Sequence, residues 1–213
     1  MSLRKIHRWN ALFLGSFILL HMATHLSGLW GIEVYNAVQK TLRLLYRNPI
    51  VEPLLAASVL VQMGLGLWLL LQGLRRRLRS KWGRVQAISG MVFLFFLTEH
   101  MLAFVLARWV NGLDTNFYWP ASVMSGPPFI WYFVPYYFFG VVALFIHMGC
   151  GFRLGLLRRG RKRAAINVFW GTTIAGGLIA GLIVLTLLGV FYRIELPGAW
   201  VAYLRQFVAG YTP

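Results

Sequence analysis

The sequence contains a single cysteine, Cys150. One cysteine cannot form a disulfide within the chain, and it cannot ligate a zinc ion or an iron–sulfur cluster through several thiolates. It also excludes a C-x-x-C-H haem attachment. Any cofactor must therefore be held by histidine, by methionine or by noncovalent contacts.

Acidic residues are also scarce, with 5 Asp and Glu against 21 Lys and Arg, for a net charge of +16. The basic residues lie in the connections between apolar segments and at alternate ends of them, which is typical of membrane topology and not of a nucleic-acid-binding face. The positive-inside rule places the N-terminus and the stretches 75–84 and 158–163 in the cytoplasm and the C-terminus outside. The outer connection 32–49 also carries three basic residues, a smaller excess.

Charged residues make up only 12% of the chain, whereas 59% are hydrophobic and the mean hydropathy is +0.66. A helix needs roughly 20 apolar residues to cross a bilayer. Five runs reach that length, and they predict one all-α, polytopic domain over residues 1–213 in a bacterial-type inner membrane. The five runs are 10–31, 50–74, 86–110, 129–152 and 167–192. The first is too long for a signal peptide and has no A-x-A cleavage site, so we expect it in the mature protein.

Two segments of the chain resemble each other. The stretch "VQMGLGLWLLLQGLRRR" (61–77) aligns with "IHMGCGFRLGLLRRGRK" (146–162), and the preceding helices match more loosely. This repeat predicts a four-helix bundle built from two hairpins, followed by a fifth helix. We further expect an amphipathic helix at 32–49, an ordered loop at 111–128 and a short helix in the C-terminal tail.

Four of the five histidines lie inside the apolar runs, where polar side chains usually face a bundle interior or a cofactor. His25 is 17 positions after Arg8 and His100 is 16 after Arg84, so both lie about 25 Å above the inner basic edge. Two imidazoles from facing helices at one depth are the arrangement that a b-type haem requires. Gly28, Gly90 and Ala103 are expected to leave room for it. The fifth histidine, His7, is expected at headgroup level.

A second level lies nearer the middle of the membrane. His147 is roughly 16 Å above the inner edge, and His21 and Gln62 are each roughly 20 Å above it. His147 is one candidate ligand for a second haem. Its counterpart in the repeat is Gln62, so His21 either replaces the missing ligand or donates an interhelical hydrogen bond. Arg153 either extends towards the inner surface or pairs with a haem propionate.

Two acids fall at or inside the helices. Glu99 precedes His100 and could orient a ligand, carry a proton or pair with a base. Glu52 begins the second apolar run, and it is either an interfacial carboxylate or a proton acceptor for a quinol.

The stretches "RVQAISGMVF", "ALFIHMGCGFRLGL" and "RKRAAINVFWGTTIAGGLIAGLI" resemble the three-helix pattern of the cytochrome b subunits of succinate dehydrogenase and fumarate reductase. The whole chain is similar to the five-helix, dihaem members, which carry one histidine on each of their first four helices. The resemblance implies that His25, His100 and His147 ligate haem iron and that the fourth ligand position falls at Gln62. It also implies quinone sites near Ser89 and Arg84 at the inner face and near Glu52 at the outer face.

The resemblance further implies haem b, in one or two copies, quinone as substrate, and cytoplasmic flavoprotein and iron–sulfur subunits as partners. The expected function is that of a b-type cytochrome that transfers electrons between haem and membrane quinone, at most the membrane subunit of a larger oxidoreductase. The sequence leaves open whether the protein forms a homo-oligomer. The alternative is a haem-free membrane scaffold or small transporter with the same fold, which the glutamine at position 62 favours.

Overall fold

A computed structural model gives the structure of the protein for residues 2–75 and 80–213, without the side chains of residues 74 and 75. The basic stretch 75–84 therefore lies partly outside the described residues. In the described part of the chain every regular element is helical, which confirms the predicted all-α class.

The chain forms eight α-helices in the described residues. They are α1 (Leu3–Ser27), α2 (Ile32–Tyr46), α3 (Val51–Arg75), α4 (Lys81–Phe104), α5 (Tyr118–Ser122), α6 (Phe129–Arg158), α7 (Lys162–Leu187) and α8 (Gly198–Arg205). A 3-10 turn, Gly28–Trp30, extends α1, and a π-helical turn, Val105–Val110, extends α4. Helices α1, α3, α4, α6 and α7 are long and apolar enough to cross a membrane. The chain therefore fits a multi-pass membrane protein, as predicted.

Several of the five long helices extend beyond their apolar runs. Helix α1 begins at Leu3 and not near residue 10, α7 begins at Lys162 and not near 167, and α6 continues to Arg158. Long basic side chains can reach the headgroups while their backbone stays helical. Apolar runs therefore underestimate the length of these helices at their basic ends.

Helix α6 packs along both α4 and α7, whereas α1 packs against α3 and α2. Contacts between α3 and α4, and between α1 and α7, connect these two groups. Many large apolar side chains on the long helices are exposed, and no described side chain of α3 is buried. Such surfaces fit a lipid bilayer environment.

The long connections form an ordered layer at one end of the helices, as predicted. The amide of Gln39 in α2 donates to the backbone carbonyl of Thr115 over 3.1 Å, and Arg43 forms an ion pair of 2.8 Å with Asp114. Tyr35 and Phe117 belong to a buried cluster that also includes residues of α5, α6 and α7. This layer fixes α2 and the 111–128 connection over the ends of the membrane helices.

Close packing of α6 on α7 depends on Gly176. A Cβ atom there would overlap the Cβ of Phe145, which cannot swing away because it is fixed to the α6 backbone. Gly177, the next residue, has open space at the same position. We expect Gly176→Ala to lower the free energy of unfolding by about 1–3 kcal/mol through overpacking.

Gly177→Ala is the matched control. It should be neutral or stabilising by up to about 1 kcal/mol, since alanine is the better helix former. Thermal unfolding of both variants in the same detergent measures the difference, and equal stabilities would contradict the packing of α6 on α7.

Candidate functional site

Three histidine side chains from α1 and α4 lie together, and we call His21, His25 and His100 the histidine cluster. The ring centroids of His21 and His25 are 4.7 Å apart, and those of His21 and His100 are 6.0 Å apart. His21 and His25 are four residues apart in α1 and so project from one face of the helix. The structure places the predicted ligands His25 and His100 in one cluster, and it places His21 beside both.

Aromatic rings surround the histidine cluster. Phe96 stacks on His100 at 5.6 Å and 17°, and Trp119 of α5 lies 5.2 Å from His100. Tyr35 of α2 lies 5.6 Å from His25, and Phe17 stacks on His21 at the same distance. The imidazoles therefore lie in apolar surroundings, where each unpaired polar atom is costly.

One polar atom of the cluster has no partner among the described residues. His25 is only 9% exposed, and its buried Nδ1 forms no hydrogen bond there. The neighbouring Tyr35 hydroxyl stays protonated, because burial raises the pKa of Tyr35. Buried polar groups in folded proteins are nearly always satisfied, so an unpaired imidazole nitrogen indicates a ligand or a water at this position.

The end of α1 is fixed close to α7. The hydroxyl of Tyr192 donates to the carbonyl oxygen of Gly28 over 2.5 Å. A Cβ atom at Gly28 would lie 3.1 Å from the Cγ2 of Thr186 in α7. The expectation that Gly28 leaves room for a cofactor is therefore wrong, because its missing side chain is what allows α1 to approach α7.

His147 lies in a separate place between α4 and α6. Its Nδ1 is 3.1 Å from the carbonyl oxygen of Gln86, which is 14 residues before His100 and therefore about 21 Å away along α4. A Cβ atom at Gly90 would lie 2.9 Å from the Cε1 of His147. Gly90 thus makes space for His147 itself and not, as expected, for a cofactor beside His100.

Gln62 belongs to a polar network between α1 and α3. Asn10 donates from Nδ2 to the Oε1 of Gln62 over 2.9 Å, and the amide nitrogen of Gln62 lies 3.4 Å from the Nε2 of His7. Asn10 is 11 residues before His21, about 16 Å along α1. The expectation that Gln62 and His21 share one depth is therefore wrong. The depth of His21 was counted from Arg8 and that of Gln62 from Arg75. These two reference residues lie at different levels, because α3 runs past the beginning of α1.

Sequence reasoning gave His7 no role beyond a headgroup-level side chain. In the structure its ring packs against Gly66 of α3, where an added Cβ atom would lie 3.6 Å from the Cε1 of His7. The ring also lies near His147. Its Nδ1 is buried without a partner in the described part of the chain. The spacing of His7 and Asn10, which puts both on one face of a helix, was the available signal.

The predicted quinone residues lie at opposite ends of the molecule. At one end Arg108 donates from both terminal nitrogens to the two carboxylate oxygens of Glu52. At the other end Ser89 is buried and donates to the carbonyl of Gln86 over 3.2 Å, whereas Arg84 is exposed in the first turn of α4. The structure therefore does not bring Glu52 near Ser89 and Arg84.

Arg153 and Glu99 differ in their surroundings. The guanidinium carbon of Arg153 lies 3.6 Å from the centroid of the Trp82 ring, at the beginning of α4. Glu99, the residue before His100 in α4, is exposed. Within residues 2–75 and 80–213, no group of three or more His, Cys, Asp or Glu side chains is arranged to hold a metal ion.

A scan against protein-family models and searches of curated proteins and of solved structures find no match to this chain.

The bidentate pair of Glu52 and Arg108 connects α3 to the end of α4, with side chains 30% and 20% exposed. We expect a double-mutant cycle with Glu52→Gln and Arg108→Gln to give a coupling energy of roughly 0.5–3 kcal/mol. Charge-assisted, bidentate hydrogen bonds are the strong ones, and this pair is mostly shielded from water.

The control is the pair of Arg193 and Glu195, which has a 3.2 Å contact but side chains 87% and 78% exposed. Its cycle should show no measurable coupling, because solvent screens exposed pairs. Unfolding of all variants in one detergent gives both energies, and a Glu52–Arg108 coupling no larger than the control's would contradict the contact.

Proposed function

We propose that the protein is a b-type cytochrome and that it belongs with the cytochrome b subunits of the succinate dehydrogenase and fumarate reductase family. The observation that carries this proposal is the histidine cluster, in which α1 and α4 bring three imidazoles together among aromatic rings. Isolated histidines in membrane helices usually form interhelical hydrogen bonds. None of the cluster's imidazoles forms such a bond with a described residue, whereas haem ligation uses imidazole nitrogens directly.

The residues present fit such a group. Imidazoles from both α1 and α4 would hold it, and the ring centroids of His21 in α1 and His100 in α4 lie 6.0 Å apart. In the proposal His25 and His100 are the ligands, as the family resemblance implies, and His21 lies beside His25 and His100. A bound haem b supplies reversible one-electron oxidation and reduction.

A second haem at His147 belongs to the same proposal. The bond between its Nδ1 and the carbonyl oxygen of Gln86 fixes the ring, as the outer-shell bond of a ligating imidazole commonly does, and leaves Nε2 available. Gln62 is not proposed as the opposite ligand, because Asn10 occupies its amide oxygen. The proposed arrangement is a four-helix bundle of α1, α3, α4 and α6, to which α7 adds a fifth helix.

The cellular setting follows from charge. The basic stretches 75–84 and 158–163 are proposed to face the cytoplasm of a bacterial-type inner membrane, with the N-terminus inside. They would meet a flavoprotein and an iron–sulfur protein there, and membrane quinone would exchange electrons with the complex. Glu52, paired with Arg108, and Ser89 with Arg84 remain the proposed quinone residues at the two faces.

A reduced-minus-oxidised absorption spectrum of the purified protein, with haem quantified as the pyridine haemochrome, tests the proposal. The unaltered protein should show the α-band of b-type haem. His100→Ala should lose the haem at the histidine cluster, because one of its proposed ligands is removed. Gln62→Ala should leave the haem content unchanged, and it serves as the control for loss of a polar side chain in the membrane.

Absence of any α-band in protein produced with ample haem would contradict the cytochrome and favour the haem-free scaffold or small transporter. Haem loss in His21→Ala with full retention in His25→Ala would move the α1 ligand to His21 and leave the function unchanged. A second haem should disappear in His147→Ala but persist in His100→Ala.

A further inference from the structure

A cavity lies between the beginning of α4 and the last turns of α6, away from the histidine cluster. Its volume is about 330 Å³, and its walls include Ser80, Trp82, Gln86, Cys150 and Arg153. This volume falls in the range of about 300–1,000 Å³ that is common for small-molecule sites. Arg153 is the one charged side chain among the described residues that line it.

Arg153 is arranged as an anion receptor. Its guanidinium lies over the Trp82 ring, with 3.6 Å between the guanidinium carbon and the ring centroid. Its buried Nε forms no hydrogen bond with any described residue, and no described acid pairs with it. Stacking on an aromatic face leaves the N–H edges of a guanidinium free in its plane, where they match two oxygens of a phosphate or carboxylate.

The position of the cavity indicates which anion reaches it. Ser80 and Trp82 in its walls belong to the stretch 75–84. In the sequence, the stretches 75–84 and 158–163 contain eleven Lys and Arg residues and no acid. Such basic stretches attract anionic lipids, and basic pockets between membrane helices on this side bind lipid phosphates. The apolar surfaces of α4 and α6 beside the cavity, including exposed Phe152 and Leu154, would receive the acyl chains.

We infer that this cavity binds the phosphate of an anionic phospholipid from the inner leaflet, with Arg153 as the ligand to its oxygens and Trp82 as the platform that holds the guanidinium. The inference replaces the propionate role expected for Arg153, and it does not depend on haem at the histidine cluster. Trp82 is itself held edge-on against Phe169 of α7 at 4.7 Å, so the platform is part of the packed helix interface.

Native mass spectrometry of the full chain in detergent, titrated with phosphatidylglycerol, tests the inference. We expect Arg153→Gln to lower the fraction of protein that carries one retained lipid by about tenfold, since a charge-assisted bidentate contact is lost. Arg153→Lys keeps the charge but lacks the planar guanidinium, so its lipid retention should lie between that of the unaltered protein and that of Arg153→Gln. Arg158→Gln removes the same charge from an exposed position on the same helix, and it should lower lipid retention much less than Arg153→Gln does.

The remaining arms separate the possible anions. Phosphatidylcholine should compete weakly, and inorganic phosphate at the same concentration should not displace the lipid. Equal lipid retention in Arg153→Gln and Arg158→Gln would overturn the inference. Displacement by inorganic phosphate would also overturn it, as would an Arg153→Gln variant that keeps its lipid but loses haem absorbance.

Discussion

The fold holds three imidazoles among aromatic side chains, and the Nδ1 of His25 is buried without a hydrogen-bond partner in the described residues. Burying a polar group without a hydrogen-bond partner costs a few kcal/mol. The positions of His21, His25 and His100 in α1 and α4 therefore call for an interaction that offsets this cost. Their neighbours are rings, Phe96 and Trp119 among them, that pack but do not pair with the nitrogens. Ligation of the proposed haem would give imidazoles of α1 and α4 a partner that the described residues do not supply.

The rest of the molecule supports this placement. Gly28 lets the end of α1 approach α7, and the Tyr192 hydroxyl holds it there. The layer formed by α2 and the 111–128 connection covers the same end. It places Tyr35 against His25 and Trp119 against His100. The basic end of the helices carries the Arg153 cavity instead. One end is thus built around neutral, aromatic packing and the other around positive charge.

The helices were predictable because a run of apolar residues long enough to cross a bilayer has few alternatives. Their ends were not, because the backbone at Leu3 or Lys162 stays helical where the side chains are already charged. Depth counting placed His25 and His100 at one level, and both lie in the histidine cluster, but it wrongly put His21 at another level, since the ring centroids of His21 and His100 are 6.0 Å apart. It failed for Gln62, because sequence does not reveal how far α3 slides past α1. Nor could it show that Gly90 accommodates His147, since a glycine indicates close approach without naming the group that approaches.

Electron paramagnetic resonance of the oxidised, purified protein tests the central claim most directly. If His100 and an α1 histidine ligate haem, the spectrum will show a low-spin ferric signal typical of two imidazole ligands, and His100→Ala will lose it. Absence of a low-spin signal from haem-replete protein, or a signal that His100→Ala leaves unchanged, would contradict the assignment of the histidine cluster as a haem site.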